Sequence, residues 1–498
     1  MKNVKKIFAL ALALMMVLSL ATTAFATEIS FTGGADGAVY SAYKLLNATQ
    51  DGDKYAYTVN AKYAEILKAE TGKTVDEEII AYISNLDAAG IRTFANDVYA
   101  AIKAAGLAAD KVSVNDVIAD ADQGYYLIAE TTLGDSHPEY PEYNGDTYSL
   151  VMVDTVGDDK ITITTKESFP DVDKEVLEKN DSTGVSHWGE HADYDIGDKV
   201  EYRVRATVSG EYEGYINYWY QIGDTMDAGL TYNYDLKIMV GSTDVTGLFK
   251  IDENDHGFTA TANLKEWTEF TVTHNTVFNL TYSATLNENA VSGVPGNKNA
   301  VQVKFQNDPY AIDDPTDPGT TPPDVNIVFT FDSIVNKVDE KGAPLTTAGF
   351  TLYKYNHDTA SWVQIGTERT GASTYDFRGL DEGIYKLVET KVPDGYNKAD
   401  DIEFHIHPVY DTTKDPVQMT GLEIVDKDGD PLDIFKIDIT GDKKFEENTY
   451  EFETTIVNKP GKELPTTGGM GTTLFYIFGG LMFVGAAVLL VTKKRMAY

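Results

Sequence analysis

Apolar and polar positions alternate with a period of two through most of the chain, in short runs rich in Tyr, Val, Ile and Thr separated by Gly, Asp and Asn. Such runs predict half-buried antiparallel strands. The clearest is Lys199 to Val208, with Val200, Tyr202, Val204, Ala206 and Val208 on one face and Glu201, Arg203 and Arg205 on the other. Between Asn60 and Ala105 the period changes. Thr74-Val75-Asp76-Glu77 has the form of a capping box, and Ile79, Ile80, Ile83 and Leu86 follow at helical spacing. A second helix is expected over Thr93 to Ala104, so helices interrupt a β domain that begins at Tyr40–Leu46 and resumes at Gly124–Ala129.

Two apolar runs lie outside this pattern. Lys2, Lys5 and Lys6 precede Ile7 to Leu20, and the small-residue site Ala24-Phe25-Ala26 follows, which together read as a cleavable signal peptide over 1–26. Leu474 to Val491 is long enough for a membrane helix and ends in Lys493-Lys494-Arg495, a basic cytoplasmic stop. The chain between is expected outside the cell.

A chain of 498 residues needs several cores. The pattern predicts a mainly β protein of tandem Ig-like, collagen-adhesin-like sandwiches. The first occupies 27–168 with the helical insertion, the second 169–312, and the third 325–458. The Pro-rich stretch 313–324 reads as a stiff linker, and 459–498 as tether, sorting signal, membrane segment and basic tail. Charge adds one constraint: 78 acidic against 41 basic side chains give a formal −37, which repels nucleic acid and anionic lipid. Cysteine is absent, so disulfides cannot reinforce the exported part.

The candidate chemistry lies where polar residues fall on the buried phase of strands. In the second domain Lys174 shares a phase with Val172 and Val176, Asp224 with Tyr220 and Ile222, and Asn299 with Val301, Val303 and Phe305. The third domain repeats the trio: Lys337 with Phe329, Phe331, Ser333 and Val335; Glu389 with Tyr385 and Leu387; Asn458 with Phe452, Thr454 and Ile456. Burial lowers a lysine pKa and raises that of an acid. A neutral lysine could then attack the asparagine carboxamide while Asp224 or Glu389 shuttles protons, giving isopeptide bonds Lys174–Asn299 and Lys337–Asn458. Buried salt bridges, or lysines that snorkel to water, are the alternatives.

Several motifs carry a resemblance. Leu464-Pro465-Thr466-Thr467-Gly468, ahead of the apolar tail and basic stop, resembles the LPxTG cell-wall sorting signal of Gram-positive surface proteins. The resemblance implies that a sortase cysteine attacks the Thr467 carbonyl and releases Gly468 onward, an acyl transfer through a covalent intermediate. Tyr385 to Tyr396 looks like the E-box of pilins and collagen-adhesin B-type domains, and Asn336-Lys337-Val338-Asp339 with Phe350-Thr351-Leu352-Tyr353 like the opening of that domain. Ile196 to Val200, Asp224 to Leu230 and Tyr282-Ser283-Ala284 are similar to a second pilin module. The chain thus resembles the SpaA-like, isopeptide-forming major pilins. That likeness implies a shaft subunit of a cell-surface fimbrium, polymerised head to tail from Thr467 to a lysine of the next subunit. Lys166 stands at the equivalent point, although Thr164-Thr165 replaces the usual Tyr-Pro, and Lys160 and Lys174 are nearby rivals.

Partners implied are pilus-specific and housekeeping sortases, identical subunits, minor pilins, peptidoglycan and a host ligand. A minor or tip pilin, or a single wall-anchored adhesin, is the competing reading, and a wall-anchored enzyme a more distant one. Glu130 is E-box-like in the first domain, without a terminal Asn partner. No cofactor is expected. Asp426, Asp428 and Asp430 alternate around Gly429 and could touch calcium, but a solvated turn suits them better because the loop lacks an EF-hand's terminal Glu.

Overall fold

The computed structural model describes residues 26–33, 36–51, 54–134, 148–165, 169–438, 451–461 and 470–495. The expected signal peptide (but for its last residue), Lys166 and the Leu464–Gly468 motif lie outside the described residues. The described chain is mainly β, in successive sheet pairs with a few helices.

In the first domain, Thr27–Thr32 sits between Val117–Ala121, antiparallel, and Lys160–Thr164, parallel. A second sheet runs in the order Lys54–Val59, Val39–Asp51, Gly124–Thr132, Leu150–Asp154. Three helices enter between Val59 and Lys111: α1 (Ala64–Thr71), α2 (Asp76–Ser84) and α3 (Ala88–Ala104). Leu67, Ile79, Phe94 and Val98 cover Tyr43, Leu45 and Leu127 of the sheet.

Two helix starts differ from expectation. Val75, not Thr74, precedes α2, and it caps with no side-chain bond. The first turn is favoured instead by Asp76, Glu77 and Glu78 against the helix dipole, and Asp76 Oδ2 is engaged by the Val59 N–H at 3.1 Å. α3 starts five residues before Thr93, because Asp87 Oδ1 accepts the Gly90 N–H at 2.8 Å. Ala88-Ala89-Gly90 has no apolar rhythm, so only the cap marks that turn.

The second domain packs two sheets around a Tyr-rich core. One contains Val172–Lys179, Lys199–Thr207 and Val277–Leu286; the other contains Gly257–Asn263, Trp219–Met226 and Asn297–Phe305. The stretch expected as a stiff linker contributes to the second sheet. Gly319–Thr320 and Asp324–Phe329 both pair with Asn297–Phe305, and Asp324–Phe329 also runs parallel to His191–Asp193. The sheet pairing of the third domain therefore begins at Phe331–Asp339 rather than at 325. Phe329 and Phe331, placed in one phase by sequence, lie on strands of different sheets.

In the third domain, Phe331–Asp339 lies between Thr374–Leu380 and Glu451–Asn458, the latter parallel to it. The facing sheet runs Ser361–Thr370, Gly349–Asn356, Gly383–Lys391, Ile402–Asp411, Gln418–Val425. α4 (Met470–Arg495) follows, and its Phe475–Lys493 portion is long and apolar enough to cross a membrane.

Candidate functional site: two buried lysine clusters

The strand period carries Lys174 inward between Val172 and Val176, and its side chain is wholly buried. Asp224 and Asn299 come from two neighbouring strands of the other sheet. Their register, Asp224 opposite Val301 and Met226 opposite Asn299, makes them diagonal neighbours on one face. The trio thus spans the two layers of the sandwich.

Lys174 Nζ donates to Asp224 Oδ2 at 2.7 Å. The Tyr282 hydroxyl donates to the same oxygen and accepts from Asn299 Nδ2 at 3.3 Å. The amine lies 5.1 Å from the Tyr202 ring centre and 5.8 Å from that of Tyr282, and the two rings are stacked. Burial pulls the Lys174 amine below its ordinary value, with Asp224 pulling the other way. Burial likewise pushes the Asp224 carboxyl up, against the opposing effect of Lys174. Both shifts favour the uncharged pair over the ion pair. Asp224 Oδ1 and Asn299 Oδ1 are buried acceptors without a hydrogen-bond partner, while Asn299 lies within bonding reach of the Asp224 carboxyl. A proton on Asp224 Oδ1 would supply the missing donor and polarise the carboxamide carbonyl.

The third domain brings its trio together differently. Lys337 and Asn458 lie on adjacent parallel strands of one sheet, with Lys337 opposite Ile456 and Asp339 opposite Asn458, and Glu389 reaches over from the facing sheet. Lys337 is buried, and Nζ donates to the carbonyls of Ile456 at 2.9 Å and Val338 at 3.2 Å. Two donated bonds suit a neutral amine with its lone pair free. Burial lowers the Lys337 pKa, opposed by Glu389. Asn458 Nδ2 donates to Glu389 Oε1 at 2.8 Å, and Glu389 Oε2 accepts the Ala399 N–H at 2.7 Å. Asn458 Oδ1 is again a buried orphan.

Sequence phase placed all six of these residues. It missed Tyr202 and Tyr282, whose alternation looks like ordinary core, and Asn326. That asparagine is buried just after the expected linker, where its amide donates to the Lys174 carbonyl at 3.1 Å and to Glu190 at 3.0 Å.

The remaining candidates sort by exposure. Lys174 is too buried to serve as an exposed acceptor, whereas Lys160 is exposed and paired with Glu28 at 2.7 Å. Glu130 is buried and accepts the Ser149 N–H at 3.1 Å. Asp426 Oδ1 is occupied by the amides of Asp428 and Asp430, at 2.9 and 3.0 Å, in an exposed turn. A tighter carboxylate group, Asp195, Asp198 and Asp381, lies where the second and third domains meet. Lys354 Nζ already bridges two of its members, at 2.8 Å from Asp195 and 2.6 Å from Asp381.

Comparison with known proteins bears on both sandwiches and on the tail. Residues 196–309 match the Gram-positive pilin backbone subunit 2, Cna-B-like domain. Residues 332–421 match the SpaA prealbumin-like fold domain, and 456–497 the LPXTG cell wall anchor motif. The trypsin-resistant surface T6 protein of Streptococcus pyogenes serotype M6 is 23% identical over 398 residues, covering 68% of this chain and 71% of the relative. The solved T6 backbone pilin, described as a modular three-domain structure, superposes with a TM-score of 0.55 at 16% identity, over 88% of this chain and 98% of that one. That likeness carries the fold. The full-length major pilin SpaD of Corynebacterium diphtheriae covers 87% of this chain and 98% of its own at 15% identity, with a TM-score of 0.48. The described chain ends in a single apolar helix beside the anchor match, which places the protein at the cell wall after transient membrane retention. The protein is a non-enzymatic, sortase-anchored member of the Gram-positive pilins, with Cna-B-like and SpaA domains and an LPXTG anchor.

Proposed function

We propose that the protein is the repeating shaft subunit of a covalent fibre, toughened by Lys174–Asn299 and Lys337–Asn458 isopeptide bonds. The observation that carries this reading is the fully buried trio of Lys174, Asp224 and Asn299, held between two sheets with its shifts favouring the neutral pair. In each sandwich the lysine nitrogen bonds to the asparagine Cγ, ammonia leaves, and the acid returns to its starting state. Proximity imposed by folding supplies much of the rate. Polymerisation follows the sortase route: Thr467 forms the thioester, the peptide from Gly468 onward departs, and the Lys166 amine of the next subunit takes the acyl group. A head-to-tail contact of this kind repeats without closing. The expected outcome is an open fibre in which tension runs through covalent bonds.

Denaturing electrophoresis of wall extracts tests polymerisation. Native protein should give a ladder of high-mass species that collapses to monomer in Lys166→Ala. A ladder untouched by that substitution removes Lys166 as acceptor, and its absence from native extracts favours a singly anchored adhesin or minor pilin. Intact-mass measurement tests the clamps separately. A deficit of two ammonia molecules is expected, one being restored by Lys174→Ala and the other by Asn458→Ala; a native mass without any deficit would overturn the clamp chemistry.

A further inference from the structure

The Tyr282 hydroxyl touches both the acid and the leaving group of the second sandwich. It donates to Asp224 Oδ2 and accepts from Asn299 Nδ2 at 3.3 Å. The third sandwich has a different arrangement. There Glu389, one methylene longer than an aspartate, accepts from Asn458 Nδ2 directly at 2.8 Å. We propose that Tyr282 is a catalytic proton relay for the Lys174–Asn299 linkage, carrying a proton from the Asp224 carboxyl to the departing Asn299 nitrogen. The inference rests on the clamp chemistry proposed above and adds to it a residue that strand phase did not single out.

The relay solves a specific problem. An amide nitrogen is a poor leaving group until it is protonated, and a donor within hydrogen-bond reach must supply that proton as the tetrahedral intermediate collapses. In the third sandwich the acid already sits at this nitrogen. In the second, Asp224 Oδ2 is shared by Lys174 Nζ and the Tyr282 hydroxyl, and that hydroxyl also holds Nδ2, so it offers a proton route beside the Asn299–Asp224 contact itself. Tyr282 is buried, and that burial, with Asp224 beside it, holds its phenol well above the ordinary value. It therefore acts as a neutral hydroxyl that accepts one proton as it gives another.

The protons balance. Neutral Lys174 Nζ bonds to Asn299 Cγ as Asp224 gives its proton to Asn299 Oδ1. Asp224 then takes one proton from Nζ. On collapse the Cγ–Nδ2 bond breaks and Nδ2 takes the Tyr282 hydroxyl proton. Asp224 refills that hydroxyl, and Oδ1 returns its own proton to Asp224. The products are one amide and one ammonia, with Asp224 and Tyr282 unchanged.

The test follows both linkages in the same full-length molecules after a pulse of synthesis, by quantifying the tryptic cross-linked peptide from each domain. In Tyr282→Phe, which keeps the ring and its stacking, the Lys174–Asn299 peptide should form about tenfold more slowly or worse, while the Lys337–Asn458 peptide forms at the native rate. Asp224→Glu in the Tyr282→Phe background should restore the second-domain peptide, since the longer acid reaches Nδ2 as Glu389 does. A native protein with both linkages and an equally fast Tyr282→Phe would overturn the relay alone. A native protein lacking the second-domain linkage would overturn the clamp there and the relay with it. Should Tyr282→Phe fail to pack, the double variant decides: restored linkage supports the relay and continued absence overturns it.

Discussion

Asp224 pairs with a buried amine and, in the proposed linkage, would shuttle protons, and these two roles separate energetically. Lys174 and Asp224 both have fully buried side chains, and a polar group left there without its hydrogen-bond partner bears its full desolvation penalty. Asn299→Ala removes only the electrophile, so it loses the linkage while keeping the 2.7 Å pair. Asp224→Ala loses the linkage and also strands the Lys174 amine. Chemical denaturation should therefore find Asp224→Ala less stable than Asn299→Ala by about 1–3 kcal/mol, and Lys174→Met in the Asp224→Ala background should recover much of that gap. Equal stabilities for the two single variants would mean that the amine finds another partner or water. The six residues of the trios were legible because inward phase is a local property of a strand. Their mutual distances were not, and the third domain shows why. Lys337 donates to main-chain carbonyls that no side-chain pattern announces.

At the scale of the element, the least legible part was 313–329. Proline, glycine and threonine there specify an extended chain, but extension says nothing about whether its N–H and C=O groups meet water or a sheet edge. Long-range details decide it. Gly319 allows the Phe305 ring to approach where a Cβ would stand 2.7 Å from it. Thr321 exchanges bonds with Val303, its N–H donating to the carbonyl at 2.9 Å and its hydroxyl accepting at 3.0 Å. Asp324 then takes the Lys174 N–H at 2.7 Å, and Asn326 donates to the Lys174 carbonyl. The segment is thus a clasp on the strand that carries Lys174. Asn326→Ala deletes the side-chain donors at a fully buried position, so the second domain should lose about 1–3 kcal/mol. Limited proteolysis should then cut within 313–323 sooner than in the native chain. Unchanged cutting and an unchanged melt would show that the clasp is held by its backbone pairing alone.

At the scale of the whole molecule, the second and third domains meet through carboxylates as well as through apolar contacts such as Phe329 against Tyr410. Lys354 Nζ bridges Asp195 and Asp381, Asp193 takes the Glu382 N–H and the Tyr410 hydroxyl, and Ser182 donates to the Tyr355 carbonyl. Glu178, on the same strand as Lys174, accepts the Asp193 N–H at 2.8 Å. It faces Asp193, Glu382 and Lys354, and Tyr194 and Tyr410 stand beside it. Burial, reinforced by neighbouring acids, raises the carboxyls of both Glu178 and Asp193. Each therefore holds its proton more firmly in the folded chain than in the unfolded one. Their contribution is fully present below the ordinary carboxylate range and is lost as pH rises through the raised values. His191, against the Tyr410 ring, is shifted the opposite way, down to about 4 by burial, so it opposes the fold only in acid. Glu178→Gln keeps an acceptor for the Asp193 amide and removes the charge. It should raise the melting temperature by about 2–4 °C at pH 8 and leave it nearly unchanged at pH 4, where the native carboxyl is already protonated. Thermal melts of the exported protein at the two pH values check this, and a gain of equal size at both would show that the side chain acts through packing and not through its proton.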